Sequence, residues 1–292
     1  MKLKHLKHEE IDYVQWDKTI SKADNSIIYA YTWFLDCVTP GWEAIVDENF
    51  EYIMPLPVKK RFGIKYLVQP TLTQQLGVLS LKPITEDITK EFIRSIPYLS
   101  YEINLNEKNY VPNSTTYPNL MLNLSVSYEN LIKGISINTQ RNIRKAENYY
   151  LKIEWELKST EFLQFYFDEE KNYHLPDAII TKKLVNSGLE HKQIQLIGVK
   201  SMEGNLIAAL GLFTCCNRLI YLLPSSNTKG KEKAAMFFLV NEIIKKYAGT
   251  NKMLDFEGSR IEGVARFYEG FGAKPTSYFV IKRLRPKFLV GK

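Results

Sequence analysis

A chain of 292 residues with 45% hydrophobic side chains is long enough for about two domains with their own cores, which excludes a disordered protein. No apolar run reaches the roughly 18 residues of a membrane span. The N-terminal residues lack the apolar segment of a signal peptide, so we expect a cytoplasmic protein. The net charge of +7 favours an anionic partner, such as a phosphorylated substrate, a coenzyme or RNA.

The cysteines and histidines show no pattern of a disulfide framework or a metal site. Cys37, Cys215 and Cys216 are three in number, and two of them are adjacent. The histidines lack metal-ligand spacing, and Glu170 with His174 is predicted to be a surface pair on one helix face. We therefore expect no metal and no tightly bound cofactor.

The first half of the chain alternates helical and strand patterns. The predicted elements are helix 8–23, strands 42–46, 50–58 and 64–68, helix 85–96 and strand 98–105. A polar loop over 69–77 carries Gln74 and Gln75, and it is either a plain connector or a segment that lines a cleft with amide donors. Residues 107–118 are rich in Asn, Ser, Thr and Pro and are the best candidate for a linker.

The second half has a longer series of elements. They are strand 120–124, a helix from about 127 that breaks near Gly134 and is recapped by Ser136 or Asn138, strand 151–157, helices 159–173 and 177–187, strands 193–199, 206–214 and 219–223, helix 234–248 and strand 277–284. In the recapped helix, Arg141, Arg144 and Lys145 form one cationic face. That face is either solvated or a site for a phosphate or carboxylate.

A loop over 224–233 joins a strand to the long helix 234–248. The free N–H groups and the dipole of a following helix make such a loop a natural anion pocket, and its lysines add positive charge. The candidate donor-binding residues are Ser225, Ser226, Asn227, Thr228, Lys229, Gly230 and Lys231.

The stretch 253–272 begins as a strand and continues as a helix. Strand alternation places Asp255 and Glu257 on one face, which is either a solvated strand end or a pair of working carboxylates. Ser259 and Glu262 have the spacing of a capping box at the helix start. Tyr268 lies on the apolar stripe of the helix, as a core residue or as a functional one. Gly270 and Gly272 can supply the left-handed residue that ends the helix.

Several segments resemble a known family. The order of elements after residue 193 and the run from Phe267 to Ala273 resemble the second half of the GNAT acyltransferase fold. The segments 255–259, 140–146 and 69–77 resemble a bacterial branch of tandem-GNAT proteins that is similar to the Fem-type peptidoglycan aminoacyltransferases. The resemblance covers most of the chain. It implies an α/β (α+β) fold of two GNAT-like domains, each a mixed central sheet flanked by helices, over residues 1–118 and 119–292.

The resemblance implies roles for Tyr268 and the loop 225–231, and a mechanistic hypothesis adds roles for the other candidate residues. Tyr268 matches the catalytic tyrosine of the superfamily and would protonate the leaving group. Glu257 would act as the base, with Asp255 raising its pKa by like-charge proximity. Residues 225–231 would hold the donor phosphates. The acceptor would contact Arg141, Arg144 and Lys145, and the same substrate-binding set includes Gln74 and Gln75.

The resemblance leaves the donor open. The usual loop pattern of Gln or Arg, then Gly, then Gly or Ala reads Asn227, Gly230 and Glu232 here, which is compatible with relatives that use aminoacyl-tRNA. The expected activity is acyl or aminoacyl transfer onto an anionic or cell-wall-precursor amine, with acyl-CoA or aminoacyl-tRNA as co-substrate. The alternatives are an acetyl-CoA-dependent N-acetyltransferase and a non-catalytic GNAT-like ligand-binding protein.

Overall fold

A computed structural model describes residues 1–168 and 176–284, which form mixed β-sheets flanked by helices. The α/β fold class expected from the sequence is confirmed. Glu170 and His174, the predicted surface pair, lie outside the described residues. None of the helices within the described ranges is long and apolar enough to cross a membrane.

The elements follow one another as helices and short strands. The helices are α1 (Tyr13–Lys22), α2 (Thr32–Val38), α3 (Glu86–Arg94), α4 (Tyr128–Lys133), α5 (Ile137–Glu147), α6 (Ser159–Asp168), α7 (Ala178–Glu190), α8 (Thr228–Glu232), α9 (Ala235–Tyr247) and α10 (Glu262–Glu269). The strands are β1 (Leu3–Leu6), β2 (Glu43–Asp47), β3 (Tyr52–Leu56), β4 (Val58–Arg61), β5 (Ile64–Val68), β6 (Leu79–Ser80), β7 (Tyr101–Leu105), β8 (Thr115–Asn123), β9 (Lys152–Glu154), β10 (Ile194–Lys200), β11 (Leu206–Cys215), β12 (Arg218–Ser226), β13 (Met253–Asp255) and β14 (Lys274–Arg283).

The chain divides into two compact units. The first comprises Met1–Tyr117 together with the chain from Ser277 onward, and the second is Pro118–Thr276. The domains predicted from the sequence, 1–118 and 119–292, differ from these units in the last strand. The chain from Ser277 joins the first unit because β14 pairs antiparallel with β7 from Phe279 to Arg283.

The first unit has two groups of strands. β1, β2, β3 and β6 form one antiparallel sheet, while β5 runs parallel to β7 and antiparallel to β4. Its core packs α3 against the strands through Phe92, Ile103 and Ile281. The polar loop 69–77 is tied to this unit, because Gln69 accepts a hydrogen bond from the Asn104 N–H at 3.0 Å.

The second unit has six neighbouring strands in the order β8, β13, β12, β11, β10 and β9. Every pair in this series is antiparallel except β12 and β13, which run parallel. A hydrophobic core joins the strands to α5, α9 and α10, for example through Leu254, Ile143, Leu239 and Tyr268. Parallel β12 and β13 place the ends of both strands beside α8 and α10, where the candidate site lies.

Two local predictions differ in outcome. Ser136 caps α5 by accepting the Thr139 N–H at 3.2 Å, which confirms the predicted break and recapping near Gly134. The predicted linker 107–118 is wrong at its end, because β8 already begins at Thr115. The last residues of the segment 107–118 are extended because they belong to a paired strand. The composition of the segment does not reveal that pairing.

Candidate functional site

A cavity of about 470 Å³ opens where β12 and β13 separate. β12 runs from Arg218 to Ser226 but pairs with β13 only over 218–220, so its last residues lose their parallel neighbour. α8, α9 and α10 enclose the space that this leaves. The residues that line the cavity are Tyr221, Pro224, Ser226, Gly230, Lys231, Ala234, Met236, Phe237, Gly263, Val264, Phe267 and Tyr268.

A β-bulge at Leu222 decides which side chains of β12 face the cavity. Tyr221 pairs with Leu212 and Leu223 with Gly211, so Leu222 is the extra residue. Beyond the bulge the alternation of side chains is shifted by one. The cavity is therefore lined by Tyr221, Pro224 and Ser226. Ser225 is not among the lining residues, and it is only 4% exposed.

Tyr268 is held in the cavity wall by aromatic contacts. Its ring stacks on Phe256 with centroids 4.7 Å apart and meets Tyr221 edge to face at 5.7 Å. The side chain is only 7% exposed. Tyr268 is thus both a core residue and a cavity residue, and its ring position is set by packing.

Asp255 does not face the cavity. Leu254 and its pairing partner Leu219 belong to the same core cluster as Tyr268, and Asp255 is the next residue along β13. Because strand side chains alternate, Asp255 points to the opposite face of the sheet. There it is 1% exposed and accepts a hydrogen bond from the Arg218 guanidinium at 3.0 Å.

The predicted effect of Asp255 on the pKa of Glu257 stays a prediction, and Asp255 has two hydrogen-bond partners. The charge of Asp255 is compensated by Arg218, and its second oxygen accepts the Glu257 N–H at 2.9 Å. These contacts give Asp255 a structural role, in which it fixes the turn that follows β13.

Glu257 lies in that turn rather than on the strand. β13 ends at Asp255, and Glu257 and Gly258 have φ values of 59° and 62°. Gly258 is required there, since a Cβ would lie 2.4 Å from the Pro118 carbonyl oxygen. Glu257 is half-buried and is not among the residues that line the cavity. Its predicted role as the base stays a prediction.

The predicted capping box at Ser259 and Glu262 is wrong. α10 begins at Glu262, and the Ser259 hydroxyl accepts the Ile261 N–H at 3.0 Å in the preceding turn. Gly272, with φ of 85°, supplies the left-handed residue after the helix as predicted, whereas Gly270 is right-handed.

The segment predicted as an anion-binding loop is largely regular structure. Ser225 and Ser226 end β12, and Thr228 to Lys231 belong to α8. Asn227 caps α8 and accepts the Gly230 N–H at 2.8 Å through its side chain and the Lys231 N–H at 2.9 Å through its carbonyl. Those two N–H groups are engaged within the protein. Lys231 is among the residues that line the cavity, while Thr228 and Lys229 are exposed and are not.

The predicted acceptor-binding residues are not among those that line the cavity. Arg141, Arg144 and Lys145 are exposed on α5. In the first unit Gln75 is fully buried, donates to the Gln74 side chain at 2.6 Å and accepts the Glu107 N–H at 3.1 Å. The Gln74 carbonyl accepts a hydrogen bond from Asn104 at 2.8 Å. These bonds make the two glutamines part of the loop structure.

Comparison with known proteins rests on three-dimensional structure. No protein-family model matches the sequence, and no curated protein matches it. The crystal structure of FemX superposes with a TM-score of 0.69 over 99% of both chains at 10% identity. The chain has the fold of FemX. The expected Fem-like fold is therefore confirmed.

Two further structures have a similar fold. A conserved protein from Bacteroides thetaiotaomicron aligns with a TM-score of 0.59, 8% identity and coverage of 94% of this chain and 98% of that one. L-PGS from Bacillus licheniformis aligns with a TM-score of 0.51, 10% identity and coverage of 84% and 85%. At these identities the likeness extends to the fold.

Sequence reasoning missed the apolar half of the cavity. Met236 follows the helical period of α9, so the pattern assigns it to the core. Tyr221, Phe237 and Phe267 likewise have the spacing of buried residues. Only the separation of β12 from β13 exposes these side chains to a cavity, and that separation depends on the lengths of both strands.

Proposed function

We propose that this chain transfers an acyl or aminoacyl group from an ester or thioester donor to an amine. The observation that carries the proposal is the phenol of Tyr268 in the wall of a cavity that opens between β12 and β13, in a Fem-like fold. Lys231 borders the same cavity and supplies a positive charge for the phosphates of the donor. The fold shared with FemX supports the resemblance to Fem-type aminoacyltransferases on which this class of reaction rests.

The proposed reaction forms one bond and breaks one. The amine nitrogen attacks the donor carbonyl, a C–N bond forms, and the C–O or C–S bond to the leaving group breaks. The Tyr268 hydroxyl donates its proton to the leaving oxygen or sulfur. Glu257 takes the proton released by the amine and returns it to the tyrosinate through water. Arg141, Arg144 and Lys145 attract an anionic acceptor, such as a cell-wall precursor in a bacterial cytoplasm.

Tyr268→Phe tests the proposal. The substitution keeps the ring that stacks on Phe256 and removes the hydroxyl, so we expect turnover to fall by about 100-fold or more. The thermal midpoint should stay close to that of the native protein. Release of thiol from acyl-CoA and of labelled amino acid from aminoacyl-tRNA, each with a panel of amines, gives the rates.

Tyr247→Phe is the matched control. Tyr247 lies on α9 and does not line the cavity, so the control should keep full turnover. Unchanged turnover in Tyr268→Phe would remove the tyrosine from the mechanism. Donor binding by the native protein without turnover would instead support the ligand-binding alternative.

The two donor types can be separated by thermal stability. A ligand that binds only the native state raises the unfolding temperature by mass action. A rise with acetyl-CoA and none with charged tRNA would favour the acetyltransferase alternative. The opposite result would favour the aminoacyl donor.

A further inference from the structure

Apolar side chains dominate the cavity beside Tyr268. Pro224, Ala234, Met236, Val264 and Phe267 all contribute to its lining. We propose that the group transferred at this site is an uncharged, apolar acyl chain rather than an aminoacyl group with a free ammonium. This inference rests on the proposed function and restricts the donor to compounds that carry an apolar acyl group.

The charges around the cavity support this choice. Lys231 is the one charged side chain among the described residues that line it, and none of those residues carries a carboxylate. Glu262 lies next to Gly263 in the chain, but it is exposed and paired with Arg266 at 2.5 Å. An ammonium inside the cavity would lose its hydration without gaining a counter-ion, which is costly. An alkyl chain has no such cost.

The positive charge of Lys231 fits the phosphate-bearing end of a donor that carries an apolar acyl chain. Lys231 is among the lining residues and is exposed, so its ammonium can contact a phosphate in solvent and leave the interior to the chain. Coenzyme A thioesters and acyl-phosphopantetheine carriers share this combination of a phosphate and an apolar acyl group.

The shape of the cavity also suits a chain. A volume of about 470 Å³ lies within the range of small-molecule sites, roughly 300 to 1,000 Å³. Phe237 and Phe267 pack edge to face at 4.8 Å and form part of the wall. Gly263 leaves the α10 side open, because a Cβ built there meets nothing within 4 Å.

A series of acyl-CoA compounds tests the inference by calorimetry on the full chain. Each methylene that enters an apolar site should tighten binding about fourfold. We therefore expect octanoyl-CoA and palmitoyl-CoA to bind much more tightly than acetyl-CoA or coenzyme A. Equal affinity across the series would overturn the inference.

Gly263→Leu should shorten the chain that the cavity accepts. The new side chain occupies open space, so we expect palmitoyl-CoA affinity to fall at least tenfold while acetyl-CoA affinity is kept. Glu262→Leu places the same side chain at an exposed neighbouring position that does not line the cavity, and it should change neither affinity. An equal loss in both variants, or none in Gly263→Leu, would overturn the assignment of the chain to this cavity.

Leucyl-adenosine and N-acetyl-leucyl-adenosine isolate the effect of the ammonium. The two esters differ in the acylation of one amine, so tighter binding of the acetylated ester supports the inference. Tighter binding or faster transfer of the free amine would overturn it and leave the proposed acyl transfer standing. Chain-length-dependent binding with no transfer to any amine would have the opposite meaning, because the inferred ligand would hold while the proposed reaction failed.

Discussion

At the scale of single residues, Glu43 is a buried carboxylate of the first unit with several hydrogen-bond donors around it. Its side chain is 3% exposed and accepts hydrogen bonds from Lys65 at 2.7 Å, from His5 at 2.6 Å and from the Tyr98 hydroxyl. Burial alone would raise the pKa of Glu43, but the bonds from Lys65, Tyr98 and His5 together lower it from 4.5 to about 2. The ionised form is thus favoured in the folded protein.

Glu43 should make the stability of the protein sensitive to acid. A carboxyl with a lower pKa in the folded state stabilises the fold above its unfolded pKa and loses that contribution as the pH falls. We expect the free energy of unfolding to fall between pH 4.5 and about 2. Glu43→Gln should cost about 2 kcal/mol at neutral pH, because hydrogen bonds to a charged group are lost. It should also flatten the pH dependence in that interval.

Urea unfolding at a series of pH values measures this effect. Glu9→Gln serves as the control, since Glu9 is exposed and its substitution should leave the pH profile unchanged. A Glu43→Gln protein with the native slope would show that another group causes the acid sensitivity.

At the scale of elements, two glycines that line the cavity have opposite surroundings. A Cβ at Gly230 would lie 2.1 Å from the Ile207 carbonyl oxygen, so α8 rests directly on β11. Gly263 in α10 has free space around it. Packing therefore requires a glycine at position 230 but not at position 263.

Gly230→Ala and Gly263→Ala should therefore differ in stability. Gly230→Ala must displace backbone, and we expect a loss of about 1–3 kcal/mol. Gly263→Ala should be neutral or gain up to about 1 kcal/mol from helix propensity. Denaturant unfolding of both variants under one condition checks the difference. Equal values would mean that α8 can shift away from β11 at little cost.

The same elements show how far a sequence can predict this site. Ser136 and Gly134 were predictable because capping depends on residues within one turn of the helix. The bulge at Leu222 was not, because an extra residue is defined only against its partner strand β11. The left-handed φ of Glu257 was not predictable either, since it occurs in a turn where the next residue, Gly258, lies close to the Pro118 carbonyl, a contact distant in sequence. Local sequence signals predict where helices begin and end. Contacts between residues distant in sequence decide which side chains of each element face the cavity.

At the scale of the whole molecule, each unit has its own core but only one unit is continuous in sequence. The second unit is formed by 118–276 alone. The first unit needs the chain from Ser277, because Ile281 belongs to its core and β14 pairs with β7. Arg283 adds contacts in this unit, with hydrogen bonds to the Leu99 carbonyl at 3.1 Å and to the Tyr98 carbonyl.

This division predicts different behaviour for two fragments. A fragment of residues 118–276 should unfold cooperatively, because its core and the pairs that join β8, β13, β12, β11, β10 and β9 lie within one segment. A fragment of residues 1–117 leaves β7 with an unpaired edge and its core without Ile281, so we expect it to be unstructured or to aggregate.

Appending 277–284 to this fragment through a glycine–serine linker should restore cooperative unfolding, as measured by circular dichroism in urea. Appending the same segment with Phe279 and Ile281 changed to Ser is the control, and it should fail because the apolar contacts of the strand are removed. Cooperative folding of 1–117 alone would show that β14 is dispensable to the first unit.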